Sequence, residues 1–124
     1  MDLAPKRFAD TVVLHPLGRI NHTSSEEFKA ALQPFVDACA AGRDQIVLDL
    51  SGVEYISSAG LRVLMLARKQ AKAQGGAFVV AALAPIVEEI FEIGKFTMVF
   101  EIFSGVREAL ARVSPAGLAA FDAG

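Results

Sequence analysis

Apolar positions along this chain follow two alternating patterns. Short runs rich in β-branched residues, such as Ile46–Leu50 and Ala77–Ala82, are long enough for buried strands and too short for helices. Between these runs, apolar residues recur every three or four positions, which is typical of helices that bury one face. From residue 46 onward the two patterns alternate, and this alternation predicts an α/β domain whose sheet is mostly parallel.

The same patterns predict the individual elements. Strands are expected over residues 6–9, 11–17, 46–50, 77–82 and 97–103, and helices from 23 or 24 to about 42, from 58 to 74, from 84 to 94 and from 104 to 113. Residues 18–22 and 52–57 are expected to be loops. We therefore expect residues 1–113 to form a single domain with a four- to five-stranded mixed sheet and three to four helices. The small residues of 114–124 predict a loose C-terminal tail.

Both ends of the first helix carry specific signals. Thr23 and Ser24 each precede a glutamate by three residues, so a capping box is predicted in either register. Gly42 is expected to end this helix in a left-handed conformation. Cys39 falls on the apolar pattern of the helix and is predicted to be a small buried side chain.

Composition and charge argue against several classes of function. A formal net charge of −2 over 124 residues argues against broad nucleic-acid binding, which needs a basic surface. No apolar run approaches the roughly 20 residues of a membrane span, and the N-terminus lacks a signal-peptide pattern. The single cysteine cannot form an internal disulfide. We expect a cytoplasmic protein that does not insert into a membrane.

Catalytic chemistry has little support in the sequence. The only histidines are His15 and His22, and neither stands near other ligands at metal-binding spacing. No Gly-x-Ser-x-Gly elbow or P-loop pattern is present. We therefore predict no enzyme activity, no catalytic residue, no metal and no cofactor.

Ser57 and Ser58 stand where a strand and loop give way to a helix. Free N–H groups and the positive end of the helix dipole lie at such a helix start, and both favour an anion. A phosphate on one of these serines would be such an anion. From the residues alone, the alternative is that both serines only cap the helix. Gly60 is expected to let the backbone of a partner approach closely.

Residues Leu48–Arg62 carry a family resemblance. They read hydrophobic-Asp-Leu-Ser-x-Val-x-Tyr-Ile-Ser-Ser-Ala-Gly-Leu-Arg, and Gly75-Gly76 with the helix after Ala84-Pro85 adds to the pattern. Over roughly Thr11 to Leu110 the chain resembles a STAS domain, and the most similar group is the bacterial anti-sigma-factor antagonists. The resemblance implies a STAS-like fold.

It also implies a function. In that family the unphosphorylated antagonist binds a serine protein kinase that is also an anti-sigma factor, and so releases its client. Phosphorylation ends binding, and a serine phosphatase resets the switch. Aligned on Gly60-Leu61, the phosphoacceptor is Ser58, with Ser57 as a second candidate. The residues expected to contact the partner are Asn21, His22, Thr23, Tyr55, Ser57, Ser58, Ala59, Gly60 and Arg62.

Two positions depart from the family pattern. Ser57 stands where the motif has an aspartate beside the acceptor, and Asn21 replaces another aspartate after the second strand. An alternative function is therefore a STAS subunit that is never phosphorylated and serves as a docking module in a lipid-transport complex or signalling scaffold. In either case we expect a monomer when the protein is alone.

Overall fold

The computed structural model describes residues 1–124 and contains two sheets. The strands are β1 (Lys6–Phe8), β2 (Thr11–Leu14), β3 (Gly18–Ile20), β4 (Gln45–Asp49), β5 (Val53–Ile56), β6 (Phe78–Ala81) and β7 (Ile102–Phe103). The helices are α1 (Ser25–Ala38), α2 (Ser58–Ala73), α3 (Pro85–Ile93), α4 (Val106–Val113) and α5 (Pro115–Ala123), with a short 3-10 helix at Phe96–Met98. None of the helices has both the length and the apolar character needed to cross a membrane.

The larger sheet has five strands in the order β1-β2-β4-β6-β7. Only β1 pairs antiparallel, and the other pairs are parallel. This mixed sheet and the single α/β domain confirm the fold predicted from the sequence. The structure has five helices rather than three or four.

Alternate residues of the central strands separate two apolar layers. Leu14 and Leu48 face the larger core, where α1, α2 and α3 pack. Val13 and Val47 face the smaller layer, where α4 and α5 pack. Strands buried on both faces read as continuous apolar runs, which is why β4 was recognisable in the sequence.

The two predicted loops contain strands. Residues 18–20 and 53–56 form β3 and β5, which pair in parallel as a separate two-stranded sheet. Each strand is only three or four residues long, and β3 has a single large apolar residue, so neither shows an apolar pattern long enough to recognise. The expectation of loops over 18–22 and 52–57 is therefore corrected for residues 18–20 and 53–56.

The predicted strand 97–103 is mostly not a strand. Only Ile102 and Phe103 pair with β6. Phe100 instead enters the large core and packs on Phe91, with ring centroids 5.9 Å apart. A 3-10 helix at Phe96–Met98 precedes Phe100, so this segment contributes an aromatic side chain to the core instead of pairing as a strand.

The ends of α1 also differ from prediction. Ser24 is the N-cap residue but makes no side-chain capping bond; its hydroxyl accepts from the Asn21 N–H and donates to the Arg19 carbonyl. The predicted capping box is therefore absent. The helix ends at Ala38, and Gly42 takes its left-handed conformation (φ +68°) in the following turn.

Residues 114–124 are not loose. The Ser114 hydroxyl accepts from the Gly117 N–H at 2.9 Å and begins α5. Phe121 packs on Phe8 with ring centroids 5.3 Å apart, and Arg107 forms a salt bridge of 2.9 Å with Asp122. These contacts hold the segment against β1 and α4, which corrects the expectation of a loose tail.

Candidate functional site

The two-stranded sheet brings two distant parts of the sequence together. Ile20 pairs with Ile56, so the residues after them lie at the same end of this parallel pair. The Ser57 N–H donates to the Ile20 carbonyl at 2.8 Å. The loop that begins at Asn21 therefore lies beside the start of α2, where the sequence places its candidate phosphoacceptor.

Ser57 and Ser58 have different roles in the structure. Ser57 is the half-buried N-cap of α2, and its hydroxyl accepts from the Gly60 N–H at 3.3 Å. Ser58 is the first residue of the helix, its side chain is exposed, and its hydroxyl makes no hydrogen bond within the chain. The capping role belongs to Ser57, and the Ser58 hydroxyl is left exposed without a hydrogen-bond partner in the chain.

Gly60 is needed for packing inside this chain. A Cβ atom at Gly60 would lie 2.8 Å from the Ile20 Cγ2 atom and 2.8 Å from the Ile56 Cγ1 atom. The helix therefore rests directly on the ends of β3 and β5, and Gly60 is buried. The expectation that Gly60 admits the backbone of a partner is wrong, because the chain's own strands fill that space.

The loop after β3 is held by Asn21. Its side-chain oxygen accepts from the N–H groups of Thr23 at 2.9 Å and Ser24 at 3.0 Å. An aspartate could accept the same two bonds, so the amide preserves the loop while removing a negative charge. His22 and Thr23 are exposed at the tip of the loop.

The electrostatic surroundings of Ser58 favour an anion. Helix α2 carries no acidic residues, and of its four basic residues only Arg62 is near Ser58. Arg68, Lys69 and Lys72 follow Ser58 by ten or more residues, about 15 Å or further along the helix axis. Arg62 is exposed one turn after Ser58, on the same side of the helix. The positive end of the helix dipole adds to this field.

An apolar groove adjoins Ser58 between α2 and α3. Tyr55, Leu61, Ile90, Ile93 and Phe96 contribute to its lining together with Ser58. Tyr55 is half-buried, and the Arg19 guanidinium carbon stands 4.6 Å from the centroid of its ring. The sequence-predicted Tyr55 and Ser58 therefore lie at one surface.

The exposed side of α3 was missed at the sequence level. Ile93 is 79% exposed, and Met98, in the 3-10 helix that follows, is 83% exposed. Met98 falls in the segment that was expected to be a strand. The sequence did contain a signal for this exposed surface. Five of the nine residues of α3 are large and apolar, which is more than one face of a helix can bury.

Other reactive groups lie away from this surface. The chain holds no group of three or more His, Cys, Asp or Glu side chains that could bind a metal. Cys39 is fully buried, and burial raises the pKa of its thiol to about 11. His15 stands 3.4 Å from the Ser51 hydroxyl, at the turn between β4 and β5.

The sequence of this chain is similar to those of known proteins. A family model described as the STAS domain matches residues 3–109. A relative from Bordetella bronchiseptica, named anti-sigma factor antagonist BtrV, is 42% identical over 94 residues, which cover 76% of this chain and 78% of the relative.

Solved structures show the same fold. The crystal structure of TM1081 from Thermotoga maritima, described as an anti-sigma factor antagonist, superposes with a TM-score of 0.80 at 26% identity and covers 90% of this chain and 93% of that one. SpoIIAA, a Bacillus cell fate determinant solved in its phosphorylated form, superposes with a TM-score of 0.63 at 16% identity and covers 87% of this chain and 96% of that one. The latter likeness concerns the fold alone.

Proposed function

The chain belongs to the STAS domain family, and on that basis we propose that it is an anti-sigma-factor antagonist switched by phosphorylation at Ser58. In this proposal the unmodified chain binds a serine protein kinase that is also an anti-sigma factor, and so frees its client. Phosphorylation ends the complex, and a serine phosphatase restores it. The role is one of binding rather than catalysis.

The free hydroxyl of Ser58 carries the proposal. Ser58 is exposed and makes no hydrogen bond, while Ser57 beside it is half-buried and caps the helix. A kinase can therefore modify Ser58 without removing the N-cap. A phosphate at the first residue of a helix is also stabilised by the helix dipole and by nearby Arg62, so the phosphorylated chain stays folded.

The apolar groove explains how a phosphate would end binding. A partner that covers Ser58 also covers Leu61, Ile90 and Ile93 in the same groove. Phosphorylation adds about −1.5 to −2 charges at that point, and these must lose their water when the partner docks. Since about 1.4 kcal/mol is a tenfold change in affinity, a penalty of a few kcal/mol is enough to release the partner.

The test is site-mapped intact-mass spectrometry on the protein purified from its own host. We expect one phosphate on the native chain and on a Ser57→Ala variant, and none on Ser58→Ala. Ser57→Ala is the matched control because it changes the neighbouring hydroxyl and costs about 1 kcal/mol of helix stability through the lost cap. Phosphate retained on Ser58→Ala would contradict the assignment of the acceptor.

The alternative function is an unmodified STAS docking subunit. Ser57 and Asn21, which replace two carboxylates of the family pattern, are the features that favour it. It predicts that the chain co-purifies with its partner in the host while carrying no phosphate under any growth condition. That result would contradict the phosphorylation switch and leave the groove beside Ser58 as a constitutive binding surface.

A further inference from the structure

A second cleft lies on the face of the five-stranded sheet opposite α2. It has a volume of about 330 Å³, within the range of small-molecule sites. Its apolar lining comes from Phe8, Val13, Val106 and Phe121, which belong to the smaller apolar layer. Phe121 is part of α5 and lies beyond residues 3–109, the part that the family model matches.

Three polar side chains stand around this apolar lining. Lys6, His15 and Asp49 all contribute to the cleft. Alternation along the strands directs them to the same sheet face: Lys6 pairs with Val13, His15 lies two residues after Val13, and Asp49 lies two residues after Val47. His15 and Asp49 thus stand at the carboxyl ends of the parallel strands β2 and β4, where α/β sheets commonly bind ligands.

Two opposite charges in the cleft form no ion pair within the chain. The Asp49 Oδ1 atom accepts from the Ser51 N–H at 2.9 Å, and the second carboxylate oxygen makes no hydrogen bond. The Lys6 ammonium forms no salt bridge and stands 5.4 Å from the centroid of the Phe8 ring. Strands β1 and β4 have β2 between them, so their backbones are about 10 Å apart. A small group that carries both charges can lie between Lys6 and Asp49.

We propose that this cleft binds a small zwitterion with an apolar side group, the chemistry of a free apolar α-amino acid. The ligand's ammonium donates to the free oxygen of Asp49, and its carboxylate accepts from Lys6. Its side group packs on Phe8 and Phe121. The site is separate from Ser58 and goes beyond the proposed switch, since the two lie on opposite faces of the sheet.

The test is a titration of the ¹⁵N-labelled full chain, followed by amide chemical shifts. L-phenylalanine is compared with phenethylamine, which has only the ammonium, and with 3-phenylpropionate, which has only the carboxylate. We expect L-phenylalanine to bind with a Kd of about 1 mM, as ligands of this size commonly do. The shifts should saturate at residues 6–8, 13–15, 49–51 and 121. Each single-charge probe should bind at least about tenfold more weakly, because one charged contact is missing.

Variants separate recognition of the two charges. Asp49→Asn keeps an oxygen for the Ser51 N–H, so the turn remains intact, but it should weaken L-phenylalanine about tenfold and leave 3-phenylpropionate unchanged. Lys6→Gln should weaken 3-phenylpropionate about tenfold and leave the binding of phenethylamine unchanged. Glu92→Gln, on α3, should change nothing. The proposal is overturned if no saturable shift appears up to about 20 mM L-phenylalanine, if the three probes bind equally, or if Asp49→Asn binds L-phenylalanine like the native chain.

Discussion

At the residue scale, the absence of a side chain at Gly60 determines how closely α2 packs on β3 and β5. Because Ile20 and Ile56 occupy the space of a Cβ atom, Gly60→Ala should push α2 away from β3 and β5. Overpacking of this kind costs about 1–3 kcal/mol, and the better helix propensity of alanine returns up to about 1 kcal/mol. We expect a net loss of unfolding free energy of about 1–2 kcal/mol in urea denaturation.

The matched control for this substitution is Ser58→Ala, two residues away. The Ser58 side chain is exposed and makes no hydrogen bond, so its removal should change the unfolding free energy by less than about 0.5 kcal/mol. Equal stability of Gly60→Ala and Ser58→Ala would show that α2 can move without cost. The close approach of helix and strands would then not be a packing requirement.

At the scale of elements, α1 and α2 are joined by polar side chains. Gln33 and Gln70 both donate to the Asp37 Oδ1 atom, at 2.7 and 2.8 Å. Both hydrogen bonds lower the pKa of the Asp37 carboxyl below its usual value, and the bond from Gln70 has the larger effect. A lowered pKa in the folded state means that the carboxylate stabilises the fold above the unfolded-state pKa, and that this contribution disappears as the pH falls through the folded-state pKa.

The pH dependence of Asp37→Asn tests this contact. The native chain should be more stable than the variant at pH values above about 4, and the difference should shrink as the pH falls further. Urea denaturation at several pH values measures it. Glu54→Gln is the control, because Glu54 is exposed and makes no hydrogen bond; a difference that stays constant with pH would contradict the role given to Asp37.

The elements also show what the sequence could predict. Strand β4 was predictable because it is a continuous apolar run, and helix α2 because its apolar residues recur at helical spacing over sixteen residues. Strands β3 and β5 were not, since each is only three or four residues long, is not buried along its whole length, and is defined by its pairing with the other. The same reason limited the site: Ser58 was visible in a local motif, but its groove depends on the packing of α3 against β5.

At the scale of the whole molecule, Ile93 is one of the most exposed large apolar side chains, and it lines the groove beside Ser58. We expect Ile93→Ser to lower the phosphate occupancy of Ser58 at least about fivefold in protein from the host, because a few kcal/mol of docking energy come from such side chains. The unfolding free energy should change by less than about 0.5 kcal/mol, since Ile93 is 79% exposed. Intact-mass spectrometry and urea denaturation measure the two quantities.

Leu17→Ser provides the comparison for Ile93→Ser. Leu17 is 65% exposed and precedes β3, so it lies at the end of the two-stranded sheet away from Ser58. Phosphate occupancy should stay at the native level in this variant. If both variants reduced occupancy alike, a general effect of exposed apolar surface would replace the specific docking role of α3.

The strand order β1-β2-β4-β6-β7 has a consequence for biosynthesis. Each strand of the large sheet pairs with the one that left the ribosome before it, apart from the two strands that form their own pair. The sheet can therefore grow from one edge in the order of translation, without inserting a late strand between two earlier ones. The last edge to form, β7, has only two residues. The edge of β4, the longest strand of this sheet, is open in the nascent chain only until β6 arrives, and β7 then covers Val80 and Ala81 of β6. Because β1 at one edge and β7 at the other have only three and two residues, the finished sheet ends in short edge strands, which give a neighbouring molecule little to pair with.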